Sequence, residues 1–185
     1  MKSIDMRFDL KMIQNWIGKS FNKYKCDAFD FTNSVTQIVG LYIGDKVYSL
    51  TNIQEPVDYY GISEDMAVAK LSEVEEADIK SAFKDVEMIS TPVGGIIKSI
   101  KLINEQQKMA FNEELVYEVW LTRAIIFEVG DREILFEKDT VPFSEEIIIQ
   151  RGYNLIEKIS DNESFLEDWD DEYTPEYSRE VIMVS

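Results

Sequence analysis

Two sixteen-residue stretches, TQIVGLYIGDKVYSLT at 36–51 and TRAIIFEVGDREILFE at 122–137, superpose without a gap at an offset of 86 residues. Thr36, Gly44 and Asp45 fall on Thr122, Gly130 and Asp131. Val39, Leu41, Ile43, Lys46, Tyr48 and Leu50 fall on Ile125, Phe127, Val129, Arg132, Ile134 and Phe136. Apolar residues alternate with a period of two through both arms, which is the pattern of a strand with one buried face. The central Gly-Asp supplies residues that tolerate the positive φ of a tight hairpin turn. Because the alternation runs in phase in both copies, the same face is buried in each. A chain that carries this pattern twice is expected to build two related antiparallel β units around a shared core.

The flanking sequence predicts two helices. Over residues 9–24, Leu10, Ile13, Trp16, Ile17, Phe21 and Tyr24 recur at spacings of three and four, with lysines and amides between them, as on an amphipathic helix. Ser72 and Glu75 have the spacing of a capping box, and Ile79, Ala82, Phe83 and Val86 form a second stripe behind them. Strands are expected at 28–32, 35–43, 46–50, 66–71, 96–103, 116–129, 133–137 and 181–184, with loops at 52–61 and 104–114 and a short helix at 154–159. The run Thr91-Pro92-Val93-Gly94-Gly95 gathers chain breakers and reads as the joint between two halves. The fold expected is therefore α+β and predominantly antiparallel: two related hairpin or meander units, with an N-terminal amphipathic helix and a central helix packed on the sheets. A single domain over 1–185 is expected, with pseudo-repeat halves at 26–90 and 96–160 and an acidic C-terminal segment at 161–185.

Composition narrows the chemistry more than any motif does. The 185 residues include no histidine. That removes the commonest general base, the usual zinc ligand, and the Ser-His and Cys-His nucleophile pairs. The one cysteine, Cys26, rules out an internal disulfide and reads as a core thiol. No apolar run reaches the ~20 residues of a membrane span, and the N-terminus lacks a signal-peptide pattern, so a cytoplasmic location is expected. The formal charge of -17, from 36 acidic and 19 basic residues, repels phosphate backbones and makes direct nucleic-acid binding unfavourable. It favours basic protein partners instead. No cofactor, metal site or catalytic set is indicated: the acidic stretches lack the ligand spacing of a calcium loop, and Gly94-Gly95 lacks that of a phosphate loop.

Two places stand out as candidate sites. Arg123 shares the alternating face of Tyr117, Val119, Leu121, Ile125, Phe127 and Val129. A guanidinium there is a buried ion pair, a sign of a β-bulge, or an anion anchor in a pocket. Tyr59 and Tyr60, in the loop after Asp58, are candidates to line the same pocket. The stretch DNESFLEDWDDEYTPE at 161–176 contains eight acidic residues and no basic one. Phe165, Asp168, Trp169, Asp170, Asp171, Glu172 and Tyr173 there suit a surface that docks a basic partner, the rings anchoring and the carboxylates steering. The leading expectation is a non-enzymatic interaction or inhibitory module. The alternative is a small-molecule or anion-binding, or carboxylate-dependent hydrolytic, domain with its pocket at Arg123.

Overall fold

The computed structural model describes residues 2–28, 32–58 and 63–185. Its strands in chain order are β1 (Lys2–Met6), β2 (Ser20–Cys26), β3 (Ser34–Thr36), β4 (Ile38–Ile43), β5 (Lys46–Asp58), β6 (Ser63–Val74), β7 (Ile89–Phe111), β8 (Glu114–Val129), β9 (Arg132–Lys138), β10 (Glu146–Gly152) and β11 (Tyr173–Val184). One short helix, α1 (Leu10–Gln14), lies between β1 and β2.

The two predicted hairpins form, with matching geometry. Ile43 pairs with Lys46 across Gly44-Asp45, and Val129 pairs with Arg132 across Gly130-Asp131. Further along, Leu41 faces Tyr48 as Phe127 faces Ile134, and Val39 faces Leu50 as Ile125 faces Phe136. Gly44 and Gly130 take φ of 62° and 64°, the left-handed region that glycine enters without strain. Val39, Leu41, Ile43, Tyr48 and Leu50 of the first hairpin and Ile125, Phe127, Val129, Ile134 and Phe136 of the second lie in one core.

Pairing runs β10–β9–β8–β7–β2–β4 and returns to β10 through β3, which Gln37 alone separates from β4. The strands thus close a ring around that core. Gln37 forms the corner at φ 67°. Its N–H donates to the Glu145 carbonyl and its own carbonyl accepts from the Asn52 N–H, so the kinked backbone keeps its hydrogen bonds. Trp16, Phe21, Phe127 and Phe136 fill the interior, with ring centroids 4.9–6.4 Å apart among the contacting pairs. Two strands are long enough to serve two neighbours on one edge. β7 pairs with β2 through Ile89–Ile96 and with β11 through Ile100–Phe111. β8 pairs with β9 and, over Tyr117–Leu121, with β1 in parallel. β6 ends the path outside the ring, paired with β5.

The expected α+β architecture is corrected to a mostly antiparallel β structure with one short helix. The N-terminal helix stops within two turns: Asp9 caps it through the Lys11 N–H, and Gly18 breaks the chain at φ 79°. Residues 20–26 are a strand instead. A bulge between Phe21 and Lys23 shifts the register, so Phe21 and Tyr24, three apart, both face the core. That spacing imitates a helix. The central helix is absent as well. β6 runs on through Ser72 to Val74, and a single 3-10 turn at Glu76–Asp78 follows, with Glu75 and Asp78 making the capping box. Of the predicted stripe only Ile79 is buried, against Gly40, while Phe83 and Val86 are exposed. The expected loop at 52–61 is strand as far as Asp58, and the polar run 104–111 is strand in β7. Thr91–Gly95 lies inside β7, opposite the β2 bulge. The expected helix at 154–159 is a 3-10 turn at Leu155–Lys158. The predicted strand at 28–32 falls partly outside the described residues.

Candidate functional site

Arg123 is the extra residue of a bulge: Ile103 pairs with Ala124 and Asn104 with Thr122, leaving it unopposed. It is 2% exposed. Its Nη2 donates to Glu105 Oε2 at 2.6 Å, and its Nη1 to the carbonyls of Lys138 and Asp139 at 3.0 and 2.5 Å. Glu105, on β7, is fully buried and gathers β11 through its other oxygen, which accepts from Tyr177 Oη at 2.7 Å and Arg179 Nη2 at 2.8 Å. Burial alone would raise the Glu105 carboxyl. The hydrogen bonds from Arg123, Tyr177 and Arg179 outweigh it and hold the group below the ordinary range. Both the ion pair and the bulge are therefore present.

Lys138 ends β9 beside this cluster, 8% exposed, with its Nζ 3.3 Å from the Asp139 carbonyl. Burial and the neighbouring Arg123 guanidinium push its ammonium down to about 8 from 10.5. Between those values the unfolded chain binds more protons than the folded one, so stability rises with pH there. The penalty is fully present below about pH 8 and gone by about 10.5. Lys138→Met is therefore expected to raise stability at pH 7 by on the order of 3 kcal/mol. Chemical denaturation at several pH values should show the gain shrinking toward pH 10.

Below Arg123 the structure opens. A small chamber of about 40 Å³, lined by Arg123, Lys138, Met6 and Ala67, shares Met66, Gln107, Thr140 and Pro142 with a cavity of about 600 Å³. The size suits a ligand-bearing cavity. Three pieces of chain build it. β6 supplies Glu64 and Met66, the loop after β9 supplies Thr140, Val141 and Pro142, and the segment after β10 supplies Asn162, Ser164, Phe165, Glu167, Asp168 and Trp169 over a floor of Tyr117 and Gln107. The Ala67 N–H donates to the Pro142 carbonyl at 2.9 Å and ties the first two together. The third is set by a 3-10 turn at Glu163–Leu166 and by Asp168 at φ 61°. Trp169 Nε1 donates back to the Phe165 carbonyl at 2.7 Å, and its ring lies between Phe165 and Tyr173 at 6.0 and 5.8 Å.

Among the described residues, the carboxylates of Glu64, Glu167 and Asp168 line this cavity and no lysine or arginine does. Its surroundings are apolar and open: Trp169 is 41% exposed, Phe143 62%, and Val141 and Leu166 are exposed too. Of the residues predicted from the acidic stretch, Phe165, Asp168 and Trp169 come together in the wall, and Tyr173 backs the Trp169 ring. Asp170, Asp171 and Glu172 are exposed in the turn beyond it. Tyr59 and Tyr60 lie outside the described residues. Glu64, Met66, Val141 and Pro142 had no signal in the sequence, since strand and loop patterning do not say what lies opposite. Among the described residues no cluster of acidic or cysteine side chains could hold a metal ion, and no helix is long and apolar enough to cross a membrane. Comparison with protein-family models, curated proteins and solved structures gives no match.

Proposed function

We propose that the protein is a non-enzymatic interaction module, acting in the cytoplasm, that docks a basic segment of a protein partner at the cavity beside Trp169. One observation carries this reading: among the described residues, the cavity combines aromatic walls with three carboxylates and no basic residue. Exposed rings at a concave patch supply anchoring area, and the charge of -17 speeds encounter with a cationic partner. The same charge opposes nucleic acid. Cys26 is buried and burial pushes its thiol up to about 11, which disfavours the reactive thiolate.

Lysine- and arginine-rich peptides are the direct probe. They are expected to shift the Trp169 fluorescence, because Trp16 is fully buried and Trp120 lies beneath the Arg7 guanidinium. Neutralising the lining with Glu64→Gln, Glu167→Gln and Asp168→Asn should weaken binding at least tenfold and flatten its salt dependence. Unchanged binding by that triple variant would remove the cavity from the account.

A further inference from the structure

The chemistry of the cavity selects among cations. A lysine ammonium or an arginine guanidinium that leaves water must recover three or five hydrogen bonds from acceptors around it. The walls here are mainly Met66, Tyr117, Val141, Pro142, Phe165 and Trp169, interrupted by Gln107, Thr140 and Ser164, so apolar surface outweighs the neutral acceptors. The three carboxylates are exposed residues and set a negative potential over the cavity. A cation that carries no N–H, or one, has little to recover. Its diffuse charge gains from ring faces, and its methyl groups gain from the apolar wall.

A second feature of the wall also awaits a ligand. Asn162 is 5% exposed and lines the cavity. Its carboxamide oxygen is met by the Ser164 hydroxyl at 3.5 Å, and its NH₂ donates to no described residue. That NH₂ is not among the sealed, unsatisfied donors, so it can donate to a carbonyl arriving with the ligand. At about 600 Å³ the space exceeds a cationic head alone and admits the chain that bears it.

Building on the docking reading above, we infer that the cavity takes an alkylated ammonium group carried on a lysine of the partner segment. The rings hold the methylated head, the carboxylates supply the field, and Asn162 donates to a carbonyl of the segment's backbone. A free choline-type amine has the same head without that carbonyl and binds more weakly.

The test uses the full chain and four probes, read by Trp169 fluorescence and calorimetry. They are a short Gly/Ser peptide with two arginines flanking a central lysine, the same peptide with trimethyl-lysine, its neutral tert-butyl isostere, and choline. The trimethyl-lysine peptide should bind at least tenfold tighter than both the unmodified and the neutral peptide, with choline competing only at far higher concentration. Trp169→Ala, checked for an unchanged circular dichroism spectrum, should lose that preference. Asn162→Asp, which keeps the size but removes the NH₂ donor, should lower the peptide's affinity at least threefold and leave choline's unlowered. Equal binding of the methylated and unmodified peptides overturns the inference while leaving the docking reading intact. Equal binding of the neutral isostere overturns it too, and choline as tight as the peptide overturns lysine as the carrier. If no probe binds, both readings fall.

Discussion

Replacing Glu105 by glutamine is expected to destabilise the protein by about 3–5 kcal/mol, the range for removing one partner of a buried ion pair. The carboxylate is fully buried and receives Arg123, Arg179 and Tyr177 from two other strands. Glutamine keeps the shape but leaves one guanidinium fully buried and another mostly so without the carboxylate that pairs them, Glu137 being the remaining acid near both. It can also clash with the Tyr177 hydroxyl if its NH₂ faces that donor. The melting temperature should fall by roughly 10 °C. The loss should begin at β11, since Tyr177 and Arg179 are its links to Glu105. Tyr177→Phe gives the control, because it removes one hydrogen bond to the carboxylate and no charge and should cost about 1.5–3 kcal/mol. The folded Glu105 carboxyl titrates below its unfolded value, so its contribution is present at neutral pH and lost as pH falls through the folded value. The gap between wild type and Glu105→Gln should therefore close in acid. A gap that persists at low pH would contradict an electrostatic origin.

Phe127→Ala is expected to cost about 3–5 kcal/mol through a different mechanism, a cavity that rigid neighbours fill only in part. Phe127 is fully buried on β8. It contacts Phe21 of β2 at 4.9 Å, Phe136 of β9 at 5.9 Å and Trp16 at 5.8 Å between centroids. Those partners come from both hairpins' surroundings and from the turn after α1, so one truncation loosens the whole ring. Urea denaturation should show a lower midpoint with an unchanged slope. Phe165→Ala is the contrast: the ring is half-buried at the cavity and its loss should cost little stability. A small effect of Phe127→Ala would mean that the two hairpins do not share a core.

The sequence shows most clearly what depends on nearest neighbours. The hairpins at Gly44-Asp45 and Gly130-Asp131 are visible because turn chemistry and two-residue alternation agree. The N-terminal segment misleads because a bulge restores spacing-of-three burial inside a strand. The polar run Asn104–Lys108 reads as a connection yet is β7, because β8 and β11 satisfy its backbone on both edges and tertiary pairing overrides weak propensity. Arg123 is anomalous from alternation alone, but its partner Glu105 is eighteen residues away and carries no pattern that announces it. Phe165, Asp168 and Trp169 stand out through interleaved rings and acids. Glu64, Met66 and Pro142 join them only because β6 ends the sheet beside the loop after β9, a consequence of topology that no local window contains.

Hydrogen exchange, measured with and without the trimethyl-lysine peptide, locates where the peptide docks. Docking at the cavity is expected to slow exchange over 64–67, 140–143 and 162–169, the three pieces of chain that wall it, with the acidic turn at 170–172 and the β4–β5 hairpin unchanged. Protection confined to 170–172, or placed on another face of the ring, would show that the carboxylates attract the peptide without the cavity receiving it, and docking at the cavity would then be wrong.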